Sequence, residues 1–475
     1  MPRPAPSIDL TLGLRESSAP LRQRIADAVV QEIREGRLAP GDPLPSSRAL
    51  AADLAVSRGS TVAAYDELAA AGFVIARPGS GVVVAPDADL AARAGAASHV
   101  LPATPPKTPQ LRPSGEQLRW DLRPGQPDPA LIDRTAWRRA WRAAATAVFD
   151  GPAWRPDHLR LREQLAQLVR RTRGISTTAE EVLVVPGVGA LTHVLPAVID
   201  LGGRRFGLED PGYVEAWSAL QTAGVPTRSL PVDDDGLDPT ALGADLGAVY
   251  VTPAHQYPLG ARMPVGRRAE LLAWAHRHQG LVVEDDYDGE FRYGVAPLPA
   301  LRSLPEAAER VVYIGTASKL LDPGLRVAWV IAPEPVRSRL AVELARRSLV
   351  VPDIVGEALA TFLESGAWTA HHARAARTYA ARRAALVTAL GEHLPDVPLA
   401  GVDAGLHLVA RLPDDADDVA ACDALARAGV AVAPLTAYAI EATSRGLVLC
   451  YAGLPETAAS QVARLIARTF AHRVS

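Results

Sequence analysis

The stretch Gly315-Thr-Ala-Ser-Lys319-Leu-Leu-Asp-Pro-Gly-Leu-Arg326 decides how most of this chain is read. Two apolar runs precede it, Leu281-Val-Val-Glu-Asp285-Asp-Tyr287 and Val311-Val-Tyr-Ile. Short branched apolar runs of this kind suit strands of a parallel sheet, buried on both faces. The first run ends in acids and a tyrosine. The second opens into two hydroxyls, an amine and a guanidinium: Thr316, Ser318, Lys319 and Arg326. Lysine is scarce in this sequence while arginine and alanine abound, so a lysine in this setting is less readily dismissed as filler.

Around that stretch, from Trp120 to Ser475, strand and helix patterns alternate. Val182-Leu-Val-Val and Ala248-Val-Tyr-Val read as further strands, and residues 267–278 and 369–390 as helices. Such alternation predicts an α/β domain whose mainly parallel sheet is covered on both faces. Residues 86–118 differ. They are first alanine-rich, then proline-rich (Leu101-Pro-Ala-Thr-Pro-Pro-Lys-Thr-Pro), with little periodicity, and read as a linker. Three regions result: 1–85, the linker 86–118, and 119–475.

Composition narrows the class. A chain of 475 residues has room for two or three domains, and its formal net charge of −3 gives no overall attraction to nucleic acid. No apolar run is long enough to span a membrane. The opening Met1-Pro-Arg-Pro-Ala-Pro-Ser has no signal-peptide core, so a cytoplasmic location is expected. Two cysteines, Cys422 and Cys450, support neither a disulfide framework nor a zinc site, and no metal site is expected.

Residues 20–36 carry Leu21, Ile25, Val29 and Ile33 at fourfold spacing, which predicts an amphipathic helix stopped by Gly36. Two shorter helices are predicted over 46–54 and 57–71, with Ser46 and Ser57 as N-caps. Phe73-Val-Ile and Val82-Val-Val flank Ala76-Arg77-Pro-Gly-Ser-Gly81, which suits a hairpin. Three helices and a hairpin outline a winged helix-turn-helix. Pro43-Leu-Pro-Ser-Ser-Arg48, Val56-Ser-Arg58-Gly-Ser-Thr-Val-Ala-Ala-Tyr65 and the hairpin closely resemble the GntR-type winged helix over residues 12–85. The resemblance implies that Ser57, Arg58, Gly59, Ser60 and Thr61 lead a helix lying in the major groove of double-stranded DNA. It further implies DNA contacts by Arg48 on the preceding helix, and by Arg77 and Gly79 at the wing. Within residues 1–85 nine arginines balance nine acids. One copy is therefore expected to bind weakly, and a dimer on paired half-sites is the expected working form.

In the larger region, the residues named first suit pyridoxal 5′-phosphate. That cofactor needs a lysine for its aldehyde, an acid for its ring nitrogen, donors for its phosphate and an aromatic face. Lys319 would form the Schiff base. Asp285 would face the ring nitrogen and Tyr287 the ring hydroxyl. Thr316, Ser318 and Arg326 suit the phosphate, as do the backbone amides of Val188 and Gly189 in Pro186-Gly-Val-Gly-Ala190. Tyr213, in Glu209-Asp-Pro-Gly-Tyr213, supplies a ring to stack.

The order of these pieces matches the type I aminotransferase fold, represented by aspartate aminotransferase. That fold usually carries Asn-Pro-Thr-Gly where this chain has Tyr257-Pro-Leu-Gly. The form His255-Gln-Tyr257-Pro resembles the MocR (GabR-like) subgroup of GntR regulators, in which an aminotransferase-like domain follows the winged helix. The two resemblances cover nearly the whole chain outside the linker. They imply a pyridoxal phosphate-dependent transcriptional regulator, a DNA operator, a head-to-tail homodimer, and an effector that is pyridoxal phosphate, an amino acid or an amine. The alternative is an active aminotransferase with an appended DNA-binding domain. Relatives that respond to γ-aminobutyrate grip its carboxylate with arginines. Glu215 stands where one is expected, and Arg445 lies one residue from the other, so Arg445 and His255 are kept as effector candidates. His276, His278, His371 and His372 are expected on solvated helix faces, and His193 and His407 as packed side chains.

Overall fold

The computed structural model describes residues 12–14, 17–77, 81–94, 118–150, 157–294 and 298–471. The chain divides into two compact units, Met1–Arg112 and Pro113–Ser475.

In the first unit, helix α1 (Leu21–Arg34) buries Ile25, Val29 and Ile33, the face that the fourfold spacing marks. Helix α2 (Ser47–Asp53) is capped by Ser46, whose hydroxyl oxygen accepts from the amide of Ala49. Helix α3 (Arg58–Ala70) is capped in the same way by Ser57, which accepts from the amide of Ser60. Each cap meets one of the amides that a helix start leaves without a partner. Strands β1 (Val74–Arg77) and β2 (Gly81–Val84) pair antiparallel, with Arg77 opposite Gly81. The packed body then runs on past residue 85. Helix α4 (Ala88–Ala94) buries Ala88 and Ala92 in the same apolar core, and the Arg34 guanidinium donates to the Ala92 carbonyl at 2.9 Å. Alanines carry too little apolar contrast for periodicity to separate such a helix from a linker.

The second unit is built on eight strands: β4 (Val182–Val185), β5 (Arg205–Asp210), β6 (Thr227–Asp233), β7 (Gly236–Leu237), β8 (Leu246–Val251), β9 (Leu281–Asp286), β10 (Val311–Thr316) and β11 (Ala328–Ile331), with β3 (Trp120–Asp121) outside this sheet. Their spatial order is β4-β11-β10-β9-β8-β5-β6-β7. Pairs β10–β9, β9–β8, β8–β5 and β5–β6 are parallel, while β11 and β7 run antiparallel to their neighbours. Alternate residues of β8 point to opposite layers: Ala248 and Tyr250 join one apolar cluster, Val249 and Val251 another. The continuous apolar runs in the sequence thus reflect a sheet covered on both faces. A smaller sheet joins β12 (Leu399–Ala400), β13 (His407–Leu412), β15 (Ala433–Pro434) and β16 (Arg445–Cys450), while β14 (Val430–Ala431) pairs with β3. The parallel strands all end on one edge of the large sheet, at Asp210, Asp233, Val251, Asp286 and Thr316. Ligands of open α/β sheets bind at such an edge.

Candidate functional site

A cavity of about 280 Å³ opens at that edge. Val188, Gly189, Tyr213, Tyr257, Asp285, Tyr287, Thr316, Ser318, Lys319 and Arg326 all line it. Five separate loops and strand ends thus deliver to one place the residues nominated for a single cofactor.

Asp285 is buried near the end of β9. One of its oxygens accepts a 2.6 Å hydrogen bond from the Tyr250 hydroxyl, while the other, Oδ1, has no partner among the described residues. A buried carboxylate oxygen without a donor is costly. Burial accordingly pushes the Asp285 carboxyl up to about 7. A protonated ring nitrogen is the kind of donor this atom lacks. Lys319 donates to the Gly125 carbonyl at 3.2 Å, and burial lowers its pKa from the ordinary lysine value. Gly125 holds φ +96°, a backbone conformation that favours glycine, and a Cβ there would stand 2.5 Å from the lysine Nζ, which would have to move aside.

Arg326 takes a left-handed backbone (φ 52°) directly after the short turn Pro323–Leu325. Its guanidinium lies against Gly187, where an added Cβ would meet it at 3.1 Å, and among the described residues it makes no ion pair. The result is an uncommitted, permanently charged fork at the start of the short helix Val188–Thr192. Thr316 lines the same cavity, but its hydroxyl donates to Val327 and accepts from the Ser318 amide, which shapes the turn into Lys319.

Tyrosines form the remaining wall. Tyr213 stacks on Tyr250 with ring centroids 6.1 Å apart. The Tyr257 ring meets Tyr213, Tyr287 and Tyr438 edge to face, at 6.4, 5.5 and 5.2 Å. Burial raises the pKa of each of these phenols, so all stay protonated at neutral pH. Glu209, at 5% exposure, ties the loops together by accepting from the Thr252 hydroxyl at 2.5 Å and the Gln256 amide at 3.3 Å.

Several expectations need correction. Arg445 lies on a different cavity, with Arg411 and Asp234. His255 does not line the cavity; it is buried behind Tyr287, whose hydroxyl it meets at 3.0 Å. His371 is buried rather than solvated, and its Nε2 donates to the Leu320 carbonyl beside Lys319 at 2.7 Å. His372 bonds the Glu290 carbonyl, whereas His193 is exposed instead of packed. Sequence reading passed over Pro124, Thr252, Pro323 and Tyr438, which also line the cavity, and Tyr250 behind it. A tyrosine inside an apolar strand needs a partner for its hydroxyl, a signal that could have found Tyr250. Nothing local marks Pro124, which lies far away in sequence.

On the first unit, Arg48, Ser57, Arg58, Gly59 and Arg77 are exposed and Ser60 is half-buried. Thr61 is the exception. It is fully buried, and its hydroxyl donates to the carbonyls of Ser47 and Arg58, so it locks α2 to α3 rather than meeting DNA. Gly79 lies outside the described residues. Among those residues no helix is long and apolar enough to cross a membrane.

Comparison with known proteins agrees with both units. Residues 21–84 match the family model for bacterial regulatory proteins of the gntR family, and residues 153–466 that for aminotransferase class I and II. The HTH-type pyridoxine biosynthesis transcriptional regulator PdxR of Corynebacterium glutamicum is 37% identical over 417 residues, covering 87% of this chain and 88% of that protein. The probable rhizopine catabolism regulatory protein MocR of Rhizobium meliloti is 32% identical, covering 93% and 92%. An archaeal alanine:glyoxylate aminotransferase superposes with a TM-score of 0.70 at 24% identity, over 76% of this chain and 92% of its own, which shows the fold.

Proposed function

This chain belongs to the MocR-type HTH transcriptional regulators, and from that premise we propose that it binds pyridoxal phosphate at Lys319 and transmits the occupancy of that site to its DNA-binding unit. The observation that carries the reading is one cavity holding three complementary groups: the Lys319 amine, the unpaired Asp285 Oδ1 and the Arg326 guanidinium, which makes no ion pair among the described residues. Pyridoxal phosphate supplies an aldehyde that takes primary amines and a ring that absorbs negative charge. Lys319 would hold the aldehyde, and its lowered pKa makes the free amine more available near neutral pH. Asp285 would keep the ring nitrogen protonated. Tyr257 and Tyr287 would face the ring hydroxyl, and Tyr213 the ring plane. Val188, Gly189, Ser318 and Arg326, with Thr316 shaping the turn, would hold the phosphate.

Arg48, Ser57, Arg58, Gly59 and Ser60 would meet the DNA major groove, and Arg77 with the wing the adjacent minor groove. The balanced charge of residues 1–85 favours a homodimer, head to tail as in the resemblance, which would pair two weak DNA contacts on two half-sites. The corynebacterial relative's name concerns pyridoxine biosynthesis, and pyridoxal phosphate itself is the effector we assign first. The intact Lys319 and Asp285 also favour a second reading, an aminotransferase carrying a DNA-binding unit. Against it, Arg326 is the only arginine lining the cavity among the described residues, which leaves none to hold a substrate carboxylate.

The sequence contains two lysines, Lys107 and Lys319, so trapping is decisive. Pyridoxal phosphate added to the full chain should give a visible-range absorption band. Borohydride followed by peptide mapping should then place the label on Lys319. A band that persists in Lys319→Ala, or a label on Lys107 alone, would end the proposal.

A further inference from the structure

The charged groups lining the cavity are Glu215, Asp285, Lys319 and Arg326. On the reading above, the cofactor engages three of them: the phosphate takes Arg326, the aldehyde Lys319 and the ring nitrogen Asp285. Glu215 is left over. It is the second residue of the helix Val214–Thr222, exposed, and among the described residues it has no ion-pair or hydrogen-bond partner. It lines the same cavity as Tyr213, Tyr257, Tyr438 and Lys319.

Tyr213, Tyr257 and Tyr438 surround this end of the cavity with aromatic rings whose hydroxyls keep their protons. Aromatic faces attract cations, and a carboxylate beside them adds to the attraction. The same carboxylate repels an anion, and among the described residues the cavity holds no second guanidinium to offset that repulsion. We propose that the small-molecule partner recognised beside the cofactor is an amine carrying a second cationic centre, with its far ammonium held by Glu215 among the three tyrosines. An amino acid of equal length, with a carboxylate at that end, is rejected. This inference rests on the cofactor reading and adds to it a second small molecule, recognised once the cofactor is bound.

The test uses the full chain loaded with pyridoxal phosphate and three probes matched in length: 1,4-diaminobutane, 4-aminobutanoate and n-butylamine. Binding is followed by calorimetry. The diamine should bind at least tenfold more tightly than either of the others. Glu215→Gln should erase that preference, and Glu215→Arg should turn it toward 4-aminobutanoate. Both variants should keep the parent's cofactor band, which separates recognition from folding. Equal or tighter binding of 4-aminobutanoate by the parent, a diamine preference that survives Glu215→Gln, or no binding of any probe overturns the inference. A parent chain with no cofactor band before any amine is added would instead sink the cofactor reading beneath it.

Discussion

The Nδ1 of His255 lies 3.0 Å from the Tyr287 hydroxyl and 3.0 Å from Oδ2 of Asp288. All of Asp288 and His255 is buried, and Gly405 makes room for the ring, since a Cβ there would stand 2.1 Å from His255 Cε1. An ionised carboxylate only accepts, so Nδ1 is the nitrogen that carries hydrogen. The Tyr287 hydroxyl lies against the same nitrogen, so the histidine held by Asp288 fixes where that hydroxyl sits. His255 is thus a positioning residue for Tyr287. Replacing it with Leu should weaken pyridoxal phosphate binding by about 1 kcal/mol, roughly fivefold, and shift the bound-cofactor band. His255→Asn, which keeps a donor, should recover part of both. Equilibrium titration by absorbance checks this, and an unchanged affinity and spectrum in the Leu variant would exclude the role.

The depressed pKa of Lys319 sets a pH dependence for cofactor loading. Only the neutral amine takes the aldehyde, and its fraction rises with pH. Burial shifts that rise below the ordinary lysine value of 10.5. Stopped-flow loading rates should therefore climb with pH and level off before that value. A rate still climbing through it would mean that the lysine is not desolvated as the structure has it.

Glu209 gives a stability test of the opposite sign. Burial pushes its carboxyl from 4.5 up to about 7, so the folded chain retains a proton across this interval that the unfolded chain has released. Its contribution to stability is present below about 4.5 and falls as pH rises through about 7. Glutamine has no such proton to lose. Glu209→Gln should gain on the parent between pH 5 and pH 8 by up to roughly 3 kcal/mol, as read from denaturant midpoints. A difference independent of pH would refute the assignment.

Arg173 and Asp286 form an ion pair with both side chains 1% exposed, at 2.5 Å between Nε and Oδ2. The Tyr313 hydroxyl donates to the same carboxylate, and the Arg173 guanidinium also donates to the Gly289 carbonyl. The pair fixes the helix Leu159–Arg173 to the strand end that carries Asp285. Arg173→Met strands a buried charge, and a loss of about 3–5 kcal/mol is expected. Arg173→Met combined with Asp286→Asn should recover part of it. Chemical denaturation of the cofactor-free chain measures both.

Much of this is legible in the sequence. The apolar runs ending in Asp285 and Thr316, the Gly187 turn and the Tyr257-Pro motif each carry their chemistry within a few residues, and all converge on one cavity. Local capping made α2 and α3 equally readable through Ser46 and Ser57. Contacts between distant segments were not legible. Gly125 opposite Lys319 and His371 beneath Leu320 become partners only once the sheet and its covering helices are assembled. Thr61 misled because a hydroxyl near a helix start suits DNA as well as it suits the carbonyl of Ser47. Arg445 misled because a one-residue step along a strand reverses the face.

On this reading Lys319 couples cofactor to DNA. The most direct measurement is the affinity of the full chain for the DNA upstream of its own coding sequence, by fluorescence anisotropy at fixed salt, with and without pyridoxal phosphate. The parent should change affinity by at least fivefold on adding the cofactor, and Lys319→Ala should not respond. Arg58→Ala should weaken binding in both conditions. Identical affinities with and without pyridoxal phosphate in the parent, or an undiminished response in Lys319→Ala, would contradict the claim.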